Sequence, residues 1–192
     1  GRLFISGQDI GYDIKDEAFY ADYLHASYVQ DDVGFRGVFG AETSPVGQGF
    51  LFEIQGGTGA NNQGYPSEID PVEPAIPALF YDETVAAGTV TANDMEKGQV
   101  GADAISSSGT AGLTVDNGTY KLVYLAFGFE AIAGETDRHN LMGRILDWLL
   151  GYPEIAHTPL GATENTEDPY EIKATITSSF YELDPPTFAL VY

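Results

Sequence analysis

The sequence predicts an α/β body followed by a short β tail, and three observations support this fold class. Residues 2–6 are apolar and run into the glycine-rich segment 7–11, which is followed by a stretch with helical spacing. Residues 120–127 are apolar on both faces, which is typical of a central strand. Residues 137–150 carry a broad apolar stripe, which is typical of a helix packed against a sheet.

The first half of the body is predicted to hold two strands, one helix and a long loop. Residues 2–6 and 49–55 have the apolar pattern of strands, and residues 14–28 carry apolar side chains at three- and four-residue spacing, as in a helix. Residues 30–40 are expected to turn. Residues 56–77 contain many glycines and four prolines, and loops of this length are often functional or wrap the surface.

The second half is predicted to hold short strands, a hairpin and the clearest helix. The short strands are expected at residues 78–81, 88–92 and 102–106. Residues 110–115 and 120–127 are expected to form the hairpin, because an Asn-Gly pair between them favours a type I′ turn. The helix at residues 137–150 is expected to have Thr136 as its N-cap and to end at Gly151.

The chain is expected to consist of two regions. Residues 1–153 form the body, and residues 154–192 form a linker and the strands of a tail or of a following β-sandwich domain. Strands are expected in this second region at residues 170–178 and 188–192. Because the chain starts with Gly1 and already reads as a strand from the next residue, we expect it to be a piece of a longer protein.

Composition and charge exclude several functions. The 192 residues include no cysteine, which excludes disulfides, thiolate nucleophiles and zinc–thiolate or iron–sulfur sites. Only 8 Lys and Arg side chains stand against 29 Asp and Glu side chains, for a net charge of −21, whereas binding nucleic-acid phosphates needs a basic surface. No apolar run approaches the ~20 residues of a membrane-spanning helix. We therefore expect neither nucleic-acid binding nor membrane insertion.

The acidic side chains have two interpretations. Dispersed carboxylates form the solvated surface of a secreted or salt-tolerant protein. Clustered carboxylates, together with carbonyl oxygens, can instead bind calcium. The candidate clusters are Asp13, Asp16 and Glu17, then Asp31 and Asp32, then Glu164, Glu167 and Asp168. None has the spacing of an EF-hand, so calcium stays open and no other cofactor is predicted.

The segment 7–11 is the most suggestive candidate for chemistry. It has the form small-x-nucleophile-x-small between a strand and a helix, which lets a strained turn lift one side chain off the strand end. That side chain is Asp9, which could attack carbon or phosphorus, or orient a water molecule. The alternative is an ordinary turn in which Asp9 caps the following helix.

A second candidate lies at residues 127–130, where the predicted central strand ends. In open α/β sheets, ligands bind at the carboxyl ends of the strands. Glu130 could therefore act with Asp9 as an acid/base pair. The alternative is that Glu130 starts a loop and bonds nearby backbone.

Other catalytic motifs are absent from the sequence. His25, His139 and His157 have no HxxxH or HExxH partner, so a zinc site is not predicted. The sequence contains no Gly-x-Ser-x-Gly, no P-loop and no GxGxxG motif, so it predicts neither a serine nucleophile nor a nucleotide site. The 12 tyrosines offer rings on which sugars can stack, but the sequence does not locate such a site.

Residues 1–13, 124–130 and 138–150 resemble the class I glutamine amidotransferase-like module of large secreted bacterial and archaeal proteins. The resemblance covers about residues 1–150. It implies a flavodoxin-like fold, in which a mostly parallel sheet has helices on both faces. It also implies that strands upstream of the elbow are missing here, so that an open sheet edge must be covered by the loop, another strand or a partner.

The resemblance implies a site without its catalytic groups. In active members of the family, a cysteine occupies the elbow and a His-Pro-Glu-like run supplies the base and its orienting group. Here the elbow carries Asp9, and the second run keeps Glu130 but has no histidine, so glutaminase chemistry is not available. The residues expected to contact a ligand at this site are Gln8, Phe129, Arg138 and His139.

The sequence therefore predicts a non-catalytic accessory or binding module of an extracellular or cell-surface multidomain protein. Its expected partners are a surface polymer or a neighbouring domain. One alternative is a hydrolase that uses Asp9 and Glu130 at the strand ends. Another is a structural or assembly subunit, a homo-oligomer that pairs through an open sheet edge.

Overall fold

The computed structural model describes residues 1–82, 109–151, 154–157 and 174–177. The chain divides into two compact units, Gly1–Leu149 and Leu150–Tyr192. The strands predicted at residues 88–92, 102–106 and 188–192 lie outside the described residues, as do Glu164, Glu167 and Asp168.

The described part of the first unit consists of eight strands, three helices and one 3-10 turn. The strands are β1 (Arg2–Ser6), β2 (Ala26–Gln30), β3 (Gly37–Gly40), β4 (Leu51–Glu53), β5 (Glu68–Pro71), β6 (Ile76–Asp82), β7 (Thr110–Asp116) and β8 (Lys121–Leu125). The helices are α1 (Ile10–Ile14), α2 (Ala18–Asp22) and α3 (Glu135–Leu150), and the 3-10 turn is Phe129–Ala131. In the second unit, β9 (Glu154–His157) pairs antiparallel with β10 (Ala174–Thr177).

The strands of the first unit form one mixed sheet that curls into a half-barrel. Its strand order is β1-β8-β7-β6-β3-β4, and β5 pairs with both β7 and β2. Among the described strands of this sheet, β1 and β8 are the one parallel pair, and all the other pairs are antiparallel. The prediction of a flavodoxin-like, mostly parallel sheet is therefore wrong.

The lengths of the connections explain this correction. Parallel neighbours need a crossover of a dozen or more residues, usually a helix, whereas antiparallel neighbours can be joined by a short turn. β7 and β8 are joined by residues 117–120 alone, and β3 and β4 by residues 41–50. After β1 the chain forms only α1 and α2, of five residues each, and then returns as β2, antiparallel to β5. The described chain thus lacks the repeated strand–helix–strand units from which a parallel sheet is built.

The prediction of a single helix over residues 14–28 is also wrong. This segment contains the end of α1, the short helix α2 and most of β2. His25 lies between α2 and β2 with a φ of 50°, a left-handed conformation that ends the helical path. Of the apolar side chains whose spacing suggested a helix, Leu24 is buried in the core, whereas Phe19 and Tyr23 are exposed.

Several other predictions agree with the structure. The strand at residues 2–6 is confirmed as β1, and the helix at residues 137–150 is confirmed as α3. Because α3 begins at Glu135, Thr136 lies inside the helix and is not its N-cap. The strand predicted at residues 78–81 is part of β6, and β4 lies within the one predicted at residues 49–55.

The long loop and the hairpin turn each need a correction. The loop predicted at residues 56–77 contains β5 and the start of β6. The hairpin β7–β8 is confirmed, but only Gly118 at its tip has a positive φ, 77°, so the turn is not type I′. Instead, the Asn117 side-chain oxygen accepts hydrogen bonds from the amides of Thr119 and Tyr120, both at 3.0 Å, and fixes the turn.

Helices cover both faces of the sheet. On one face, α1, α2 and the β2–β5 pair enclose a core that includes Leu122 and Tyr124 of β8. Lys121 points to the opposite face because side chains alternate along a strand. There its ammonium group donates to the Trp148 carbonyl at 3.1 Å, which holds the last turn of α3 against the sheet. No helix within residues 1–82, 109–151, 154–157 and 174–177 is long and apolar enough to cross a membrane.

A close approach of backbones links β3 to the β3–β4 connection and to β6. A Cβ at Gly40 would overlap the carbonyl oxygen of Gly47, and a Cβ at Gly47 would overlap that of Ala78. The amide of Ala41 donates to the same Ala78 carbonyl at 2.9 Å. Only glycine fits at these two positions, because the groups in the way are main-chain atoms.

We expect Gly40→Ala to lower the free energy of unfolding by at least about 2 kcal/mol, because the main chain around Gly47 must move to admit a methyl group. Gly143→Ala in α3 is the matched control, since a Cβ there meets nothing within 4 Å. This control should raise the free energy of unfolding by about 0.5–1 kcal/mol through helix propensity. Chemical denaturation measures both variants, and effects of the same sign would contradict the packing described.

Candidate functional site

The carboxyl ends of β1 and β8 lie side by side at one edge of the sheet. The Gly7 amide donates to the Leu125 carbonyl at 3.1 Å, directly beyond the last pair of the parallel register. Gln8 and Asp9 follow this end of β1, and Glu130 follows the end of β8 by five residues. The structure therefore brings the segments that carry the two predicted carboxylates to the same edge.

A loop formed by residues 56–67, here called the strand-end loop, covers these strand ends. The Tyr65 amide donates to the side-chain oxygen of Gln8 at 3.0 Å. The Ser67 hydroxyl donates to the main-chain carbonyl of Gln8, and the Ser67 amide donates to the carbonyl of Ala126 at 3.0 Å. Gln8, which was predicted to contact a ligand, thus binds the protein's own loop.

Glu130 is held by the same strand-end loop. Its carboxylate accepts a hydrogen bond from the Asn62 side-chain amide at 2.9 Å, and its carbonyl accepts one from the Ala60 amide at 2.9 Å. Gln63 is 9% exposed; its side chain donates to that of Asn62 at 2.9 Å and accepts from the Gly128 amide at 2.8 Å. The carboxylate of Glu130 is therefore part of the contacts that fasten the loop.

Phe129 and Arg138 also make contacts within the fold. The ring of Phe129 meets that of Phe4 edge-on, with centroids 5.7 Å apart. The guanidinium of Arg138 donates to the Ile132 carbonyl and, at 2.8 Å, to the hydroxyl of Thr58 in the strand-end loop. Both side chains therefore pack and fasten the segment that follows β8.

His139 lies elsewhere in the unit. It is exposed near the start of α3 and lines a cleft of about 540 Å³ between α3 and the chain around β4. Arg144 lines the same cleft. Its guanidinium lies 4.9 Å from the ring centroid of Phe50 and donates to the carbonyl of Gln48. Asp9 is not among the described residues that line this cleft, so the structure does not bring His139 and Asp9 together.

Asp9 stands at the N-cap position of α1, but its side chain does not cap the helix. Its carboxylate accepts no hydrogen bond from the α1 main chain, all of which is described. The pKa of Asp9 is raised from its ordinary value of 3.8, first by partial burial of the carboxyl group and then by the nearby charges of Asp31 and Asp13. Asp9 thus belongs to a group of carboxylates that repel one another.

A lysine and two tyrosines lie beside these carboxylates. The ammonium nitrogen of Lys15 lies 5.2 Å from the ring centroid of Tyr12 and 4.6 Å from that of Tyr28. Burial, the charge of Asp31, the Tyr12 hydroxyl and the charge of Asp9 all raise the pKa of Tyr28, so these groups are close enough to interact. We call the surface formed by Asp9, Tyr12, Asp13, Lys15, Tyr28 and Asp31 the Lys15 face.

Sequence reasoning singled out Asp9, Asp13 and Asp31 of the Lys15 face as candidate site residues, but it missed the lysine and the two tyrosines. Tyr12 and Lys15 are three residues apart at the end of a short helix, a spacing that places two side chains together and could have been noticed. Tyr28 gave no such signal, because residues 14–28 were predicted as a continuous helix and not as a chain that folds back through β2.

The other described cations contribute to the fold through main-chain carbonyl groups. Those that donate to at least one carbonyl oxygen are Arg2, Arg36, Lys121, Arg138 and Arg144. Lys97 and Lys173 lie outside the described residues. Within the described ranges, Lys15 differs from these cations because its ammonium group lies over two aromatic rings.

The carboxylates of the site do not form a metal cluster in the described structure. No group of three or more His, Asp or Glu side chains in residues 1–82 and 109–151 is arranged to hold a metal ion. Calcium binding at Asp13, Asp16 and Glu17, or at Asp31 and Asp32, therefore stays a prediction.

Comparison of the chain with protein-family models, with curated proteins and with solved structures found no match in any of the three. The resemblance to the glutamine amidotransferase-like family accordingly stays a prediction, and the mixed sheet departs from the fold that it implies.

We expect Asp9→Asn to raise the melting temperature at pH 7, because a carboxyl group with a raised pKa destabilises the fold while it is charged. The gain should be largest above the raised pKa, should shrink as the pH falls through it, and should vanish below the ordinary value of 3.8. Thermal unfolding between pH 3 and pH 7 measures this, with Glu42→Gln as an exposed control of the same charge change. A lower melting temperature for Asp9→Asn at pH 7 would contradict the electrostatics described.

Proposed function

We propose that this chain is a non-catalytic binding module of an extracellular multidomain protein, and that the Lys15 face is the surface that contacts its ligand. The ligand is carried by a surface polymer or a neighbouring domain. The proposal rests on the different positions of the two carboxylates at the strand ends. The carboxylate of Glu130 holds the strand-end loop, whereas that of Asp9 belongs to the acidic and aromatic Lys15 face.

An acid/base pair needs two groups that reach the same substrate. The carboxylate of Glu130 is engaged by the side chain of Asn62 at 2.9 Å, and the strand-end loop of residues 56–67 lies across the strand ends. A ligand that approached these strand ends as it does in an open α/β sheet would meet this loop first. The absence of cysteine from the sequence also removes the nucleophile of the amidotransferase reaction.

The Lys15 face has the properties of a binding surface. Tyr12 is 55% exposed, and Asp9, Asp13 and Lys15 are exposed as well. A cleft of about 370 Å³ begins at Lys15 and Tyr28 and continues along Ser27 between α2 and β2. Aromatic rings with one apolar face and one polar end are favoured at surfaces that bind other molecules.

A panel of ester, phosphate, glycoside and peptide substrates tests the proposal, with Asp9→Asn and Glu130→Gln measured beside the unmodified chain. We expect no turnover that either substitution abolishes. Glu130→Gln should lower the melting temperature modestly, because Asn62 then bonds a neutral group. Hydrolysis that is lost in a folded Asp9→Asn variant would overturn the non-catalytic role.

A hydrolase is the second candidate, and one observation favours it. The raised pKa of Asp9 is the kind of shift that general acids have. In such an enzyme Asp9 would donate a proton, and Glu130 would have to leave Asn62 to act as the base. The same panel decides between the two functions, because only the hydrolase requires both carboxylates.

A further inference from the structure

We infer that the Lys15 face binds a lysine side chain of a partner polypeptide, and that Lys15 itself occupies this site as an internal competitor. This inference rests on the proposed function, since it takes the Lys15 face as the ligand-contacting surface. It adds the chemical class of the ligand, which is a primary ammonium group on an alkyl chain. It also adds that Lys15 fills the site when no ligand is bound.

The two tyrosine rings already bind an ammonium group. The Lys15 nitrogen lies 5.2 Å and 4.6 Å from the ring centroids of Tyr12 and Tyr28, within the ~6 Å over which a cation is attracted by the face of an aromatic ring. The site therefore has the dimensions of a lysine head group. It is formed by α1 and the region of β2, which the core of the unit holds together through Ile10, Ile14 and Tyr28.

The carboxylates of Asp9, Asp13 and Asp31 form no ion pair in the described structure. In the described part of the chain, the ion pairs are Arg36–Asp32 at 3.3 Å and Lys121–Asp116 at 3.5 Å, so Lys15 is paired with none of the described carboxylates. One carboxylate oxygen of Asp31 is buried and has no hydrogen-bond partner among the described residues.

A buried acceptor without a donor is unfavourable, and an ammonium group offers three donors. An ammonium group that reached the carboxylate of Asp31 would supply the missing hydrogen bond. It would also lessen the repulsion among Asp9, Asp13 and Asp31, which adds to the effect of burial in raising the pKa of Asp9.

Lys15 can yield its place to such a group. It is exposed at the C-cap of α1 and forms no ion pair with a described carboxylate, so only the two tyrosine rings hold its ammonium group. The 370 Å³ cleft beside it, lined also by Asp16 and Ser27, offers room for the displaced side chain. The net charge of −21 attracts a basic partner from a distance.

Titration with a tetralysine peptide at 0.15 M salt tests the inference, with binding measured by calorimetry and by amide chemical shifts. We expect Lys15→Met to bind the peptide at least about threefold more tightly than the unmodified chain, because the tethered competitor is gone. Chemical-shift changes should centre on residues 9–15 and 28–31. The same peptide with acetylated lysines should not bind, since it lacks the charge.

Variants made in the Lys15→Met background separate the rings from the general negative charge. Tyr12→Leu leaves the charge unchanged and should weaken binding about threefold or more, whereas Tyr12→Phe should retain most of the affinity. Asp31→Asn should weaken binding more than Glu42→Gln, an exposed control with the same charge change. Melting temperatures establish that each variant is folded.

Several results would overturn the inference. They are equal affinities of the unmodified chain and Lys15→Met, equal affinities of the Tyr12→Leu and Tyr12→Phe variants, and tighter binding of a glucosamine oligomer than of tetralysine. None of these results bears on the substrate panel, so the non-catalytic role can stand when the ammonium site fails. Conversely, hydrolysis that depends on Asp9 would overturn the proposed function, whether or not the tetralysine peptide binds to the Lys15 face.

Discussion

The parallel pairing of β1 with β8 decides where the candidate site residues lie in the described unit. Because the two strands run in the same direction, both chain segments leave the sheet at the same edge, where Gly7 bonds Leu125 at 3.1 Å. Main-chain groups beyond this bond, such as the carbonyls of Gln8 and Ala126, still need hydrogen-bond partners. The strand-end loop, residues 56–67, covers them, and Gln8, Gln63 and Glu130 supply the side chains that fasten it. This cover makes the edge a packed surface, in contrast to the open strand ends expected from the sequence.

The scarcity of cations shapes the molecule in a second way. With 8 Lys and Arg side chains against 29 acidic ones, few carboxylates can be paired. The described cations mainly bind carbonyl groups at a helix end or in a loop, as Lys121 does at the last turn of α3 and Arg36 does in the strand-end loop. The carboxylates of the Lys15 face are left without ion pairs in the described structure, and this imbalance makes the face attractive to a cation.

The sequence predicted the elements whose signals are local. The apolar run of residues 2–6, the hairpin around Asn117 and the stripe of residues 137–150 each carry their own evidence, and all three form. The direction of strand pairing depends on partners far along the chain, so resemblance in short segments was a poor guide to the sheet. The meeting of the two tyrosines in the Lys15 face was missed for a related reason. Tyr28 lies near Tyr12 only because the chain reverses at His25. No local sequence pattern predicts the positive φ of His25.

Hydrogen–deuterium exchange of the amides of Ser67 and Gly128 tests whether the strand-end loop closes the ends of β1 and β8. These amides donate to the Ala126 carbonyl and to the side chain of Gln63. We expect these amides to be protected nearly as well as those of β8, because their exchange requires the strand-end loop to leave the sheet. Exchange as fast as that of Gly118 at the exposed hairpin tip would show an open edge. That result would return Glu130 to the position of a catalytic candidate.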